Sequence, residues 1–425
     1  MRLKLQNIGI VSSADINIDG ITLITGENDS GKSTIGKVLY SIIRALNNNE
    51  SNFNESKLNF IKKKVEDVYN LLSRAKNLNK SDASIVHKIN ENQFTNLFSL
   101  YIEDDKDNII EALRVINSKL KNHSNISLRE NILKILNEVE ERESISLNST
   151  QFLNFELSEY FNLEFGNHIS NAFSKEKPFT EIKTNIETCL FLIKENKVFL
   201  EKNPLNFPYK DVIFIESPLF LKNKSQNLSF NLLRDKRNYL NQKTNQKAGS
   251  KDIFSDNSKN IKHLNNIIEE IIGGKFSYND KNEIIFNKKG QSFSLDNVAT
   301  GLKTFGAIQL LIDNGNLNID TLLIIDEPEV HLHPTWQVKF AEILVRLSKE
   351  FAIPMVLTSH SPYFIEAIEA YSIIHKYQGS TDFYFAQKDK KGKSSRIINI
   401  NNDLNIVLDS ISEAYYTLQD IRNDL

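Results

Sequence analysis

Gly26-Glu27-Asn28-Asp29-Ser30-Gly31-Lys32-Ser33-Thr34 is a glycine, four free positions, and then Gly-Lys-Ser-Thr. The apolar run Ile21-Thr22-Leu23-Ile24-Thr25 before it reads as a buried strand. After it, Ile35, Val38, Leu39, Ile42 and Ile43 recur at helical spacing as far as Leu46, where Asn47-Asn48-Asn49 stops the helix. A strand, a glycine loop and a helix start together predict a phosphate site. The glycines allow successive backbone N–H groups to curl round an anion, and the helix N-terminus adds partial positive charge. In such a loop Lys32 reaches the β- and γ-phosphates, and the Ser33 hydroxyl sits on Mg²⁺.

The remainder of a P-loop site has to come from elsewhere in the chain. Thr321-Leu322-Leu323-Ile324-Ile325 reads as a buried strand that ends in Asp326-Glu327-Pro328. That position puts Asp326 at the carboxyl edge of a parallel sheet beside the P-loop, where it can hold the shell of Mg²⁺. Glu327, one residue further on, is the candidate base for an attacking water. The other reading of this pair is an acidic cap for the following helix. Met355-Val356-Leu357-Thr358 is another apolar strand, and Ser359-His360 follows it, so His360 is placed to meet a γ-phosphate. Upstream, Thr300-Gly301 opens an apolar helix through Phe305, Ile308, Leu310, Leu311 and Ile312, a second anion-binding end. One subunit cannot easily aim both helix ends at one γ-phosphate, whereas two subunits packed head to tail can.

These motifs, in this order, resemble the ABC-type ATPase head shared by structural-maintenance-of-chromosomes proteins, recombination-repair ATPases and the overcoming-lysogenization-defect nucleases. Asp326-Glu327-Pro328-Glu329-Val330-His331-Leu332-His333-Pro334 is most similar to the last group and its bacterial defence relatives. The resemblance implies an α/β head, a mixed sheet flanked by helices, with an inserted helical lobe. It makes Gly26 to Thr34 the Walker A loop and Asp326 with Glu327 the Walker B pair with its catalytic glutamate. Val298 to Lys303 becomes the signature motif, Leu332-His333 the D-loop and His360 the switch histidine. Thr300 stands where the group usually has serine, and for the Q-loop glutamine only Gln93 and Gln151 are candidates. The cofactors implied are ATP and Mg²⁺. The function implied is ATP hydrolysis, slow in turnover, by a dimer or higher oligomer closed around ATP. That cycle would be coupled to a separate effector, a nuclease or toxin, in bacterial anti-phage defence. The stretch after His360 is too short for the C-terminal nuclease domain of that group. The alternative is a DNA-binding repair or recombination clamp.

Composition bounds the rest. At 425 residues, two or three lobes are expected, and 40% hydrophobic with 25% charged residues is the balance of a globular chain. No apolar run approaches the roughly 20 residues needed to cross a bilayer, and the first residues read as a strand, not a signal core. The expectation is therefore a cytoplasmic protein with no membrane partner. Cys189 is the single cysteine, which excludes a disulfide framework. A net charge of -2 argues against general coating of nucleic acid. Local binding stays open, because Lys222, Lys224, Arg234, Lys236, Arg237, Lys243, Lys247 and Lys251 stand against Asp235 alone. The other reading of 222–260 is a basic flexible linker.

The expected organisation is an ATPase head over 1–46 and 151–425, interrupted by a helical lobe over 47–150. The lobe shows three apolar stripes: Val65, Val68, Tyr69, Leu71 and Leu72; Ile109, Ile110, Leu113, Val115, Ile116 and Leu120; Ile132, Leu133, Ile135, Leu136 and Val139. Strands are expected at Thr184–Glu187, Cys189–Ile193, Val212–Ile215, Asp382–Phe385 and Arg396–Ile400. A helix from Ile261 to Ile272, a hairpin at Phe276–Tyr278 and Glu283–Phe286, and a closing helix from Leu404 to Leu425 complete the reading. His331 and His333 at i, i+2 suggest a metal pair, against which stands the lack of a carboxylate-rich setting.

Overall fold

Alternation of apolar and polar residues in the first seventeen positions builds a hairpin, β1 (Arg2–Ile8) with β2 (Val11–Asn17), in which Leu3 pairs with Ile16 and Leu5 with Ala14. The continuous run that follows becomes β3 (Ile21–Thr25), buried at every position, as a strand covered on both faces must be. A computed structural model describes residues 1–47, 50–78, 106–120, 126–144, 146, 150–166, 168–201, 207–216, 258–281, 283–407 and 421–422.

In chain order the elements continue with α1 (Lys32–Leu46), α2 (Glu50–Leu78), α3 (Lys106–Leu120), α4 (Ile126–Ser144) and α5 (Thr150–Phe165). Then come β4 (Phe179–Lys183), β5 (Thr188–Lys194), β6 (Lys197–Leu200), β7 (Asp211–Ile215) and α6 (Ser258–Ile272). A small antiparallel sheet of β8 (Lys275–Tyr278), β9 (Ile284–Lys288) and β10 (Gln291–Ser294) precedes α7 (Thr300–Asp313). The last group is β11 (Thr321–Asp326), α8 (Pro334–Phe351), β12 (Met355–Ser359), α9 (Pro362–Ile374), β13 (Thr381–Lys388) and β14 (Ser395–Asn399).

The main sheet has the order β6-β5-β4-β1-β2-β14-β13-β3-β12-β11-β7. From β13 to β7 every pairing is parallel. The stretch from β6 to β2 is antiparallel, and β14 joins the halves, parallel to β2 and antiparallel to β13. β3, which leads into the glycine loop Gly26 to Thr34, thus lies inside the parallel half. β12 stands between it and β11, so the strand before the glycine loop and the strand ending in Asp326 are next-nearest neighbours, one strand apart. Around the parallel half, Phe305, Ile308, Leu311, Phe340, Leu344 and Phe364 join Leu23, Leu323 and Leu357 in one core.

The chain divides into two compact units, Met1–Asn47 with Asn154–Leu425, and Asn48–Leu153. In the second, α2, α3 and α4 bury Ile61, Val65, Val68, Leu72, Ile109, Leu113, Ile116, Leu120, Ile132 and Val139 in a core of their own. Tyr69 and Leu133, placed on those stripes by spacing, are exposed instead.

Three expectations change. Thr184–Glu187 is a turn, not a strand: the Thr184 hydroxyl accepts from the backbone N–H groups of Ile186 and Glu187 and closes the β4–β5 connection. Strands β4, β6 and β10 escaped the sequence reading altogether, and so did α5, which extends the helical pattern to Phe165. Residues 258–260 of the expected linker are helical, the first turn of α6, while 222–257, with all eight basic residues, lie outside the described residues. Gln93 and 408–420 of the closing helix lie outside them as well, and Gln151 is an exposed residue of α5.

Candidate nucleotide site

The loop between β3 and α1 takes its shape from backbone conformations that side chains resist. Gly26 has φ 142° and Gly31 φ 85°, with Asp29 at 57° between them. Space excludes a side chain as firmly as torsion does. A Cβ on Gly31 would stand 2.6 Å from a Val11 methyl and 2.8 Å from an Ile10 methyl, on the β1–β2 turn. No acidic residue belongs to the first turn of α1, so the helix does not supply a carboxylate of its own to its orphan N–H groups.

Lys32 folds back along this loop. Its Nζ donates to the carbonyls of Gly26 (3.0 Å) and Glu27 (2.7 Å). Burial holds the ammonium below its ordinary range, against the pull of Glu327, Asp326 and Glu329. The Ser33 hydroxyl donates to Asp326 Oδ1 at 2.9 Å, and Thr358 Oγ1 makes a short hydrogen bond to the same oxygen. Burial nevertheless pushes the Asp326 carboxyl up, with the two hydroxyls opposing it.

Glu327 follows with φ 49°, a left-handed turn secured by its N–H to the Thr358 carbonyl and hydroxyl, each at 3.1 Å. That turn brings Glu327 Oε1 within 3.3 Å of His360 Nδ1. A cavity of about 550 Å³ opens in front, lined by Asn28 to Thr34 and Glu327 on one side. Gly9 and Ile10 of the hairpin, Lys37 of α1, and Glu164 and Phe165 at the end of α5 close the other.

The structure therefore brings Gly26 to Thr34, Asp326, Glu327 and His360 together. Thr300 and Gly301 do not line this cavity. They open α7, where Gly301 is fitted to the β11–α8 turn: a Cβ there would be 2.6 Å from the carbonyl oxygen of His331. In that turn Leu332 is buried, its carbonyl accepts from the Gln337 side chain, and His333 caps α8 by accepting from Thr335 N. His331 and His333 are thus turn residues, and among the described residues no group of three or more His, Cys, Asp and Glu could hold a metal ion. Among them, too, no helix is long and apolar enough to cross a membrane.

Sequence reasoning missed Thr358 as the second hydroxyl on Asp326, and it missed Ile10, Lys37, Glu164 and Phe165. Thr358 carried a signal, a polar residue at the tip of an apolar strand before His360. Phe165 carried none: the chain after α5 returns to the β1–β2 turn through long-range contacts, the bridge between Ile8 and Ser170 and the Gly9 N–H to the Ile169 carbonyl.

With this geometry in hand, comparison with known proteins is informative. Residues 21–366 match the family described as "AAA domain, putative AbiEii toxin, Type IV TA system". The match runs from β3 through His360 into α9. The chain belongs to this AAA-domain family. Two curated relatives are similar in sequence. Over 381 residues the chain is 24% identical to the Retron Vc95 probable ATPase of Vibrio cholerae serotype O1 biovar El Tor, a match covering 83% of this chain and 68% of that one. Over 169 residues it is 28% identical to the Retron Ec83 probable ATPase of Escherichia coli, covering 36% of this chain and 30% of that one. Solved structures similar to it include the SMC head domain from Thermotoga maritima, at 12% identity and a TM-score of 0.38, covering 94% of this chain and 98% of that one. The Smc head domain with a coiled coil and joint from Pyrococcus yayanosii is similar at 11% identity and a TM-score of 0.38, covering 97% and 99%. This member of the AAA-domain family combines a mixed, helix-flanked sheet with the glycine loop Gly26 to Thr34 between β3 and α1.

Proposed function

We propose that this chain binds ATP in the cavity before Lys32 and hydrolyses it slowly, as one half of a site that a second copy completes. The observation that carries this reading is that Ser33 and Glu327 line the cavity while Asp326 and Thr358 join Ser33, and His360 joins Glu327, in direct polar contact behind them. Lys32 and the backbone of Gly26 to Thr34 hold the phosphates. Ser33 and Asp326 bring a hydroxyl and a carboxylate within 2.9 Å, the hard oxygen donors that Mg²⁺ takes, and would hold that ion. When bound, it supplies positive charge to the phosphate oxygens. Glu327 accepts a proton from the attacking water, and His360, 3.3 Å away, orients that carboxylate.

Thr300 and Gly301 cap the ATP of a partner copy, with the Leu332–His333 turn seated beside them. The retron names of the two relatives lend support to a role in bacterial defence, which we read as cytoplasmic, with the nucleotide cycle driving a separate nuclease or toxin. The DNA-clamp alternative depends on Lys236, Arg237 and Lys243, which lie outside the described residues. Phosphate release from wild type and from Glu327→Gln tests the central reading: loss of turnover with ATP still bound supports it, and equal rates overturn it.

A further inference from the structure

Glu329 is a third carboxylate on the turn that carries Asp326 and Glu327, and the chemistry proposed above leaves it without a role. It is 3% exposed. Its Oε1 gathers two donors at the end of β12, the Ser359 hydroxyl at 2.7 Å and the His360 backbone N–H at 3.0 Å. His360 Nδ1 lies 3.4 Å from the same oxygen and 3.3 Å from Glu327 Oε1. Glu329 Oε2 is enclosed and makes no hydrogen bond among the described residues.

A tether to a hydroxyl and an N–H needs only an acceptor, and a neutral amide would serve at a far smaller desolvation cost. What a carboxylate adds is negative charge beside the imidazole nitrogen. Glu327 and Glu329 also differ in setting: the first opens on the cavity, the second is closed to water. We propose that Glu329 is a positioning residue for His360. It fixes the ring and the tautomer, with the proton on Nδ1 shared between Glu327 and Glu329 and Nε2 left as the outward nitrogen. When Glu327 takes a proton from water, its pull on Nδ1–H ends. Glu329 keeps the ring in place through that step.

The effect on turnover rests on the ATPase reading above, whereas the tautomer does not, so the two fail separately. Ring-nitrogen NMR of the full chain labelled with nitrogen-15 histidine, with His360→Gln for assignment, reads the tautomer directly. The expected result is an Nδ1–H form for His360 in wild type and a shift toward Nε2–H in Glu329→Gln. An Nε2–H form in wild type overturns the proposal without any variant, and so does an unchanged His360 signal in a folded Glu329→Gln. In hydrolysis assays Glu329→Gln should lower kcat about tenfold or more while KM for ATP changes little. That loss should vanish in a His360→Ala background, because a residue acting only through His360 has nothing left to position. A full, multiplicative loss in the double variant would refute positioning through His360. A wild type that hydrolyses no ATP would refute the ATPase reading and leave the NMR result standing.

Discussion

Asp326 is held by two hydroxyls, yet burial keeps its carboxyl above the ordinary range. A folded-state pKa above the unfolded one means that the folded protein holds the proton more tightly. Its stabilising contribution is present below about pH 3.9 and is lost as pH rises through the raised value. Asp326→Asn keeps an acceptor for both hydroxyls and removes the buried charge. In buffer with a chelator, this variant should melt above wild type at neutral pH and level with it below about pH 3.9, while hydrolysis is lost. Calorimetry across that range checks it, and a wild-type advantage at neutral pH would contradict the account. Lys32 makes the complementary case, because under the proposed function its ammonium, held by two loop carbonyls, turns to the phosphates. Losing charge-assisted hydrogen bonds of roughly 1.5–3 kcal/mol should weaken ATP binding by Lys32→Ala on the order of 10- to 100-fold in titration calorimetry. Unchanged affinity would place the nucleotide elsewhere. Lys32, Asp326 and His360 were legible because each sits in a short contiguous motif whose chemistry is local. Ile10, Phe165 and Glu329 reach the cavity or His360 through topology and turn geometry, which spacing along the chain does not encode.

At the scale of elements, α7 shows how closely helices must approach the small sheet. A Cβ on Gly306 would stand 2.7 Å from two carbons of the Phe276 ring, and Phe276 N donates to the Gln309 side chain one turn on. Replacing Gly306 by Ala gains up to about 1 kcal/mol of helix propensity. Overpacking a core costs roughly 1–3 kcal/mol, and a ring fully buried against Phe286 has little room to yield. Overpacking should win, so Gly306→Ala lowers stability in urea unfolding, and Gly306→Val lowers it further. Equal or greater stability in Gly306→Ala would show that α7 can slide. The same physics explains which elements could be read beforehand. β3, β11 and β12 are buried on both faces and appear as unbroken apolar runs. β10 is exposed at all four positions and has no apolar face to betray it. At Thr184–Glu187 a residue of high strand propensity serves as a hydroxyl acceptor instead, and the local hydrogen bonds override the propensity.

At the scale of the whole molecule, the proposed site is divided by the fold itself. α1 begins at the P-loop cavity, whereas Thr300 and Gly301 open α7 against the His331 carbonyl and stay off that cavity. Both helix starts lack acidic residues in their first turn, so each offers N–H groups to an anion. Under the proposed function one γ-phosphate takes both, the second start coming from another copy, and association would then depend on bound ATP by mass action. Glu327→Gln, which keeps the pocket but stops hydrolysis, should therefore accumulate as a dimer in ATP and Mg²⁺ and return to monomer in ADP. Thr300→Arg should bind ATP and remain monomeric, because the substitution burdens only the capping surface. Light scattering behind size exclusion reads both. A Thr300→Arg variant that dimerises as readily as Glu327→Gln would mean that Thr300 lies outside the shared site, and that α7 serves the core alone.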